Sequence, residues 1–133
     1  MTRFAIDADV ALRLIRDERR VAEGDQLVAP SILRSHVMSR IYREVRAAEL
    51  PERDALRQLD DLAALRIRLL GDRVSRATAW KLASQLGWED IEAAEYLAVA
   101  KLQADVLVTE DPTLVAGARG IVPVAGYPAI FGS

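Results

Sequence analysis

Acidic side chains follow two short apolar runs of this sequence, and their types and placement are those of a cation-binding site. The run RFAI is followed by Asp7 and Asp9, and the run DVLVT ends in Thr109 and leads to Asp111. Carboxylates that lie close together repel one another, and a divalent cation relieves that repulsion. Ligand sets made only of oxygen favour Mg²⁺ or Mn²⁺ over Zn²⁺. A metal held in this way supports phosphodiester chemistry, because it activates water and stabilises charge on the phosphate.

Each of these carboxylates also has a purely structural interpretation. Asp9 and Asp90 are suited to cap helices that begin near them, and Asp111 suits a turn before Pro112. Asp90 stands at the predicted start of the helix that leads into the run DVLVT. It is therefore placed to act as an N-cap or as a third ligand, and three carboxylates converge if the two apolar runs are neighbouring strands.

Short apolar runs alternate with amphipathic segments along the chain, without an internal repeat or a linker. The periodicity predicts strands at residues 3–6, 26–29, 65–70, 105–109 and 121–124, and helices at residues 8–20, 31–48, 51–62, 74–86, 90–103 and from 112 onward. This alternation predicts an α/β fold, a three-layer α/β/α sandwich with a mostly parallel central sheet. In such folds ligands bind beyond the carboxyl ends of the strands, which is where the acids lie.

The composition excludes several other kinds of site. The 133 residues, about half of them hydrophobic, fit a single domain over residues 1–133. There is no cysteine and only one histidine, His36, which excludes thiol catalysis, Cys-ligated metals and a multi-histidine zinc site. The net charge of −2 is not that of a basic nucleic-acid binder. Because no apolar run is long enough to span a membrane and no signal-peptide pattern opens the chain, we expect a cytoplasmic protein.

Three segments of the chain carry a family resemblance: FAIDADVALRLI, LVAPSILRSHVMSRI and WEDIEAAEYLAVAKLQADVLVTEDPTL. They resemble the motif blocks of the PIN domain, and more closely those of the VapC-type toxins of bacterial toxin–antitoxin pairs. The resemblance covers nearly the whole chain, including the closing GARGIVPV. It implies an α/β/α sandwich and cleavage of RNA at an acidic site that depends on Mg²⁺ or Mn²⁺. It also implies a homodimer and inhibition by a cognate antitoxin protein.

The resemblance also implies roles for individual residues. Asp7 matches the first acid of the family, Asp111 matches the acid of its Thr-x-Asp motif, and Thr109 matches the hydroxyl of that motif. Asp9 stands where the family often has Ser, Thr or Asn. We therefore expect Asp9 and Thr109 to support the metal ligands by hydrogen bonds.

Two positions depart from the family pattern. His36 stands where a Glu is usual, and imidazole is a poorer ligand than carboxylate for Mg²⁺, although Mn²⁺ accepts it more readily. A metal contact, a phosphate contact and a plain helix residue are all open for this side chain. Ala93 stands where an Asp is usual, and Asp90, Glu92 and Glu95 are candidates to replace it. On a helix, Asp90 lies about 60° around the axis from Ala93, against about 100° for Glu92 and about 160° for Glu95, so Asp90 is favoured.

The sequence thus predicts a metal-dependent endoribonuclease toxin whose catalytic and metal-binding residues are Asp7, Asp90 and Asp111. The alternative is a degenerate PIN domain that binds antitoxin or RNA without cutting, and His36 and Ala93 are the reasons to keep it. A phosphoacceptor receiver domain would need a Lys directly after a late strand, and the sequence offers none.

Overall fold

The computed structural model describes residues 1–132, in which five strands form one sheet flanked by helices. The strands are β1 (Arg3–Ile6), β2 (Gln26–Pro30), β3 (Arg68–Leu70), β4 (Val106–Val108) and β5 (Val124–Ala125). The helices are α1 (Ala8–Asp17), α2 (Leu33–Arg46), α3 (Glu52–Ala64), α4 (Arg73–Leu86), α5 (Glu92–Gln103) and α6 (Pro112–Gly117), followed by a 3₁₀ helix at Tyr127–Phe131.

The strand order is β3-β2-β1-β4-β5, and every neighbouring pair is parallel. The chain builds outward from β1 through β2 and β3, and then adds β4 and β5 on the other side of β1. The direction of winding therefore reverses between β1 and β4, where Ile6 pairs with Val108. Crevices for ligands form at such reversal points, because the connections on the two sides leave the sheet in opposite directions.

Helices cover both faces of this sheet. Helices α1, α2 and α3 pack against one another, whereas α5 packs against β1 and β2 with α4 and α6 beside it. The central strands contribute Ile6, Val28 and Leu107 to the core, and α5 contributes Leu97, all of which are almost fully buried. The predicted three-layer α/β/α sandwich with a parallel sheet is confirmed. Within residues 1–132, no helix combines the length and the apolar character that crossing a bilayer requires.

The ends of several elements differ from their predicted positions for local reasons. Helix α1 stops at Asp17, because Glu18 adopts the left-handed conformation with φ of 52°. Ser31 does not cap α2, because the helix begins at Leu33 with Ile32 in the N-cap position, while the Ser31 N–H donates to the carbonyl of Leu70 and extends the β2–β3 pairing. Helix α5 begins at Glu92, two residues later than predicted, and this shift changes which acidic side chain reaches the site.

Candidate active site

Asp7 leaves the end of β1 and turns into α1. Its Oδ1 accepts a hydrogen bond from the Val10 N–H at 2.9 Å and so caps the helix, and its Oδ2 accepts one from the Thr109 hydroxyl at 2.5 Å. Both Asp7 and Thr109 are buried. Burial raises the pKa of Asp7, the two hydrogen bonds oppose that shift, and the nearby charge of Asp111 raises the pKa further. A cation beside Asp7 would stabilise its ionised form.

Asp111 lies three residues after the end of β4 and caps α6, as Asp7 caps α1 after β1. Its Oδ2 accepts from the Leu114 N–H at 3.0 Å, and its own N–H donates to the Thr109 hydroxyl oxygen at 3.1 Å. Thr109 thus connects the two acids, since it donates to one side chain and accepts from the backbone of the other. Among the described residues, Oδ1 of Asp111 has no hydrogen-bond partner, so it is available to a ligand.

A cavity of about 360 Å³ opens above these two acids, between α2 and α5. Its walls carry four carboxylates and two guanidinium groups, so the acids are in excess. The lining residues are Asp7, Ala8, Asp9, His36, Ser39, Arg40, Arg43, Glu92, Ala93, Tyr96, Asp111 and Leu114. This charge balance suits a divalent cation on one side of the cavity and a phosphate group on the other.

Helix α2 supplies the basic wall of the cavity. His36, Arg40 and Arg43 share one helix face, as their spacing predicts, and all three line the cavity. Arg40 is ion-paired with Asp9, which lies in the first turn of α1. Among the described residues, the Asp9 side chain bonds to Arg40 and not to Asp7 or Asp111, so the expected hydrogen bond from Asp9 to the metal ligands is not present.

His36 contacts α5 across the cavity. Its Nδ1 lies 2.7 Å from the Tyr96 hydroxyl, and the two rings are stacked with centroids 5.7 Å apart. Its Nε2 lies 3.9 Å from Glu92 Oε1. Burial, together with the charge of Asp7, raises the pKa of Tyr96, so its hydroxyl keeps its proton. Tyr96 was not among the predicted site residues, although its place one turn after Ala93 puts both residues on the same face of α5.

Asp90, the acid expected to stand in for the usual Asp at the position of Ala93, does not lie where it was predicted. Ala93 does line the cavity, but Asp90 does not, and its Oδ1 accepts from the Glu92 N–H at 3.1 Å. Because the helix begins at Glu92, the rotation of 100° per residue does not extend back to Asp90. Glu92 lines the cavity instead, whereas Glu95 lines a separate groove beside the end of β3.

Two acids rather than three therefore meet above the sheet. Within residues 1–132, no group of three or more His, Asp or Glu side chains is arranged to hold an ion, so the expected convergence of Asp7, Asp90 and Asp111 is not present. The Glu92 side chain is 73% exposed and stands at the outer edge of the cavity. Asp7 and Asp111 remain the pair at its floor.

Comparisons with known proteins find likeness in structure but not in sequence. No protein-family model and no curated protein matches the chain. PAE2754 from Pyrobaculum aerophilum aligns with a TM-score of 0.73 at 20% identity, over 92% of this chain and 89% of its own. The structure of VapBC2 from Rickettsia felis, bound to a DNA fragment from their promoter, aligns with a TM-score of 0.67 at 9% identity over 93% and 98% of the two chains. VapBC-1 from nontypeable Haemophilus influenzae gives 0.65 at 14% identity over 94% and 98%. At these identities the likeness establishes the fold, and the PIN-like fold implied by the sequence motifs is thereby confirmed.

Proposed function

We propose that this protein is a VapC-type toxin and that it cleaves RNA with the aid of Mg²⁺ or Mn²⁺. The observation that carries the proposal is the pair Asp7 and Asp111, placed at the ends of adjacent parallel strands where the sheet reverses its winding. The likeness to solved VapBC structures supports the toxin assignment. The basic face of α2, on the opposite wall of the cavity, supports a phosphodiester substrate.

The residues present fit a hard divalent cation. Mg²⁺ is usually bound by one or two carboxylates together with waters and substrate phosphates, rather than by a complete protein cage. Asp7 and Asp111, both on the lining of the cavity, would supply two such carboxylates. When bound, the metal would supply an activated water and stabilise the charge that builds on the phosphate.

The surrounding residues position these two acids. Both carboxylate oxygens of Asp7 accept hydrogen bonds, one from the Val10 N–H and one from the Thr109 hydroxyl. Asp111 accepts one bond, at Oδ2 from the Leu114 N–H, and its Oδ1 stays available to a ligand. Arg40 and Arg43 provide positive charge for phosphate oxygens. Asp9 acts through its ion pair with Arg40. Asp90 has no part in this proposal, because its carboxylate lies outside the cavity.

The proposal extends to partners and location. A toxin of this type is neutralised by a cognate antitoxin protein, and we propose the same here, together with a homodimer in the cytoplasm. Growth arrest on expression in bacteria, abolished by Asp7→Asn, tests the toxin role. Light scattering on the purified protein tests the dimer.

The enzymatic part is tested by incubating total cellular RNA with the purified chain in Mg²⁺, Mn²⁺ or EDTA. We expect discrete cuts with either metal, none in EDTA and none with Asp7→Asn. Asp61→Asn is the matched control, because Asp61 is exposed on α3, away from the cavity. If the folded wild-type protein makes no metal-dependent cut, the degenerate binding module replaces the nuclease as the best interpretation.

A further inference from the structure

His36 is the only histidine in the chain, and it stands on the cavity wall with its two ring nitrogens in different surroundings. Nδ1 faces the buried hydroxyl of Tyr96 at 2.7 Å. Nε2 faces the cavity, where the nearest carboxylate oxygen is that of Glu92 at 3.9 Å. One ring nitrogen therefore bonds within the protein, and the other is exposed to a ligand in the cavity.

The buried hydroxyl of Tyr96 decides where the ring proton lies. Among the described residues, Nδ1 of His36 is the only hydrogen-bond partner of this hydroxyl. A buried hydroxyl proton needs an acceptor, and an unprotonated ring nitrogen is one. Tyr96 therefore donates to Nδ1, and the neutral ring carries its own hydrogen on Nε2. The opposite tautomer would place two donors face to face unless the Tyr96 proton turned away, where no acceptor lies among residues 1–132.

The Nε2–H group is free to bind a ligand. A separation of 3.9 Å is too long for a hydrogen bond to Glu92, so this donor is not used within the described part of the chain. The side chain of His36 is 24% exposed, which leaves its outer edge accessible from the cavity. Arg40 and Arg43, one and two turns further along α2, line the same wall.

A nitrogen that carries hydrogen has no lone pair with which to bind a metal, but it is a good donor to a phosphate oxygen. Building on the proposed RNA cleavage, we infer that His36 binds the RNA backbone rather than the metal, with Tyr96 as the positioning residue that fixes its tautomer. With imidazole in place of the usual carboxylate, this position therefore binds phosphate instead of metal. Together with the two arginines, it forms a row of three donors along α2.

The tautomer is tested directly by nitrogen NMR on untagged, full-length protein labelled at histidine, because one histidine gives one set of signals. We expect Nε2 to be protonated and Nδ1 to be unprotonated in the neutral ring, and this pattern to persist when Mg²⁺ is added. Tyr96→Phe should mix the two tautomers. Tyr127→Phe is the matched control, since it also removes a hydroxyl from a buried tyrosine, one that bonds to Asp17 and does not line the cavity. A proton on Nδ1 in the wild type, or loss of the Nε2 proton on adding Mg²⁺, overturns the inference.

The contact with RNA is tested by adding a short single-stranded RNA in EDTA, where metal-dependent cleavage is absent. We expect the Nε2 and Hε2 signals to shift while the tautomer is retained, and an unchanged Nε2 signal at saturating RNA would count against the contact. In cleavage assays His36→Ala should lower kcat/KM by about 100-fold, the scale of one lost donor to a reacting phosphate. His36→Gln, which keeps an N–H near the position of Nε2, should recover most of that loss.

His36→Glu separates the two roles of this position. If the imidazole binds phosphate, the added negative charge should leave this variant no more active than His36→Ala. If His36→Glu is instead more active than the wild type, the position serves the metal and the inference is wrong. A wild-type protein that binds RNA through His36 but makes no cut with any metal would refute the proposed nuclease while supporting the phosphate contact.

Discussion

Removing the hydroxyl of Thr109 is predicted to destabilise the fold, because this group bonds to both acids at the floor of the site. Thr109→Val replaces it with a methyl group of similar size at a position that is only 2% exposed. The change deletes the bond donated to Asp7 and the bond accepted from the Asp111 N–H. A bond to a charged group contributes about 1.5–3 kcal/mol and a neutral one about 1 kcal/mol. We therefore expect the free energy of unfolding to fall by about 2.5–4 kcal/mol.

This loss should depend on pH, because Thr109 stabilises the ionised form of Asp7. Burial already places the folded-state pKa of Asp7 above its unfolded value, and the Thr109 bond opposes that shift. A group with a raised folded-state pKa favours folding below its unfolded pKa, and this contribution is lost as pH rises through the folded-state pKa. Thr109→Val raises the folded-state pKa further, so its destabilisation should be greatest at neutral pH and smaller once Asp7 is protonated.

Urea denaturation in EDTA, at neutral pH and at the acidic edge of the stable range, measures both effects. Thr78→Val, on α4 and away from the site, is the control for the substitution itself. A double-mutant cycle with Asp7→Asn should give a coupling energy of about 1–2 kcal/mol between the two side chains. A coupling energy near zero, or a destabilisation that is the same at both pH values, would refute the assignment of the Thr109–Asp7 bond as a charge-assisted one.

Three further predictions concern the metal, the packing and the C-terminal tyrosine. Mg²⁺ at one hundred times its dissociation constant should stabilise the wild type by about 2.7 kcal/mol and raise its melting temperature in calorimetry. Asp111→Asn should lose most of that rise in melting temperature. An equal rise in both proteins would show that Asp111 does not bind the metal. Gly117→Ala would place a Cβ 2.5 Å from the ring of Trp88, so we expect the free energy of unfolding to fall by about 1–3 kcal/mol. Urea denaturation followed by tryptophan fluorescence measures this change, and unchanged stability would show that the ring moves freely. Burial and the bond to Asp17 raise the pKa of Tyr127 to about 12. The stability that this tyrosine contributes should be complete below its unfolded pKa of 10.0 and should decline as pH rises through about 12. In a series of unfolding curves at different pH, Tyr127→Phe should show a smaller decline.

The floor of the site could be predicted from the sequence because it depends only on the order and direction of strands. Apolar runs before Asp7 and before Asp111, separated by helices, predict parallel strands whose carboxyl ends share one edge. The structure makes β1 and β4 neighbours, with Ile6 paired to Val108. No side-chain detail was needed to bring these two acids to the same edge.

The wall of the site depends on details that a periodic pattern does not fix. The choice between Asp90 and Glu92 turned on where α5 begins, and a shift of two residues was enough to reverse it. The bond between His36 and Tyr96 joins positions 60 residues apart, on helices α2 and α5, which meet only after the helices have packed around the sheet. Local propensity carries no information about such a meeting.

The bond from Thr109 to Asp7 joins residues 102 positions apart, and this separation bears on the synthesis of the protein. While a ribosome is still making the segments before β4, the Asp7 carboxylate has neither its hydroxyl partner nor the neighbouring acid, and it remains hydrated. The central strand β1 also lacks its β4 neighbour during that time. A nascent chain therefore carries half of the core without the assembled floor of the candidate site, and the two carboxylates come together only after β4 has left the exit tunnel.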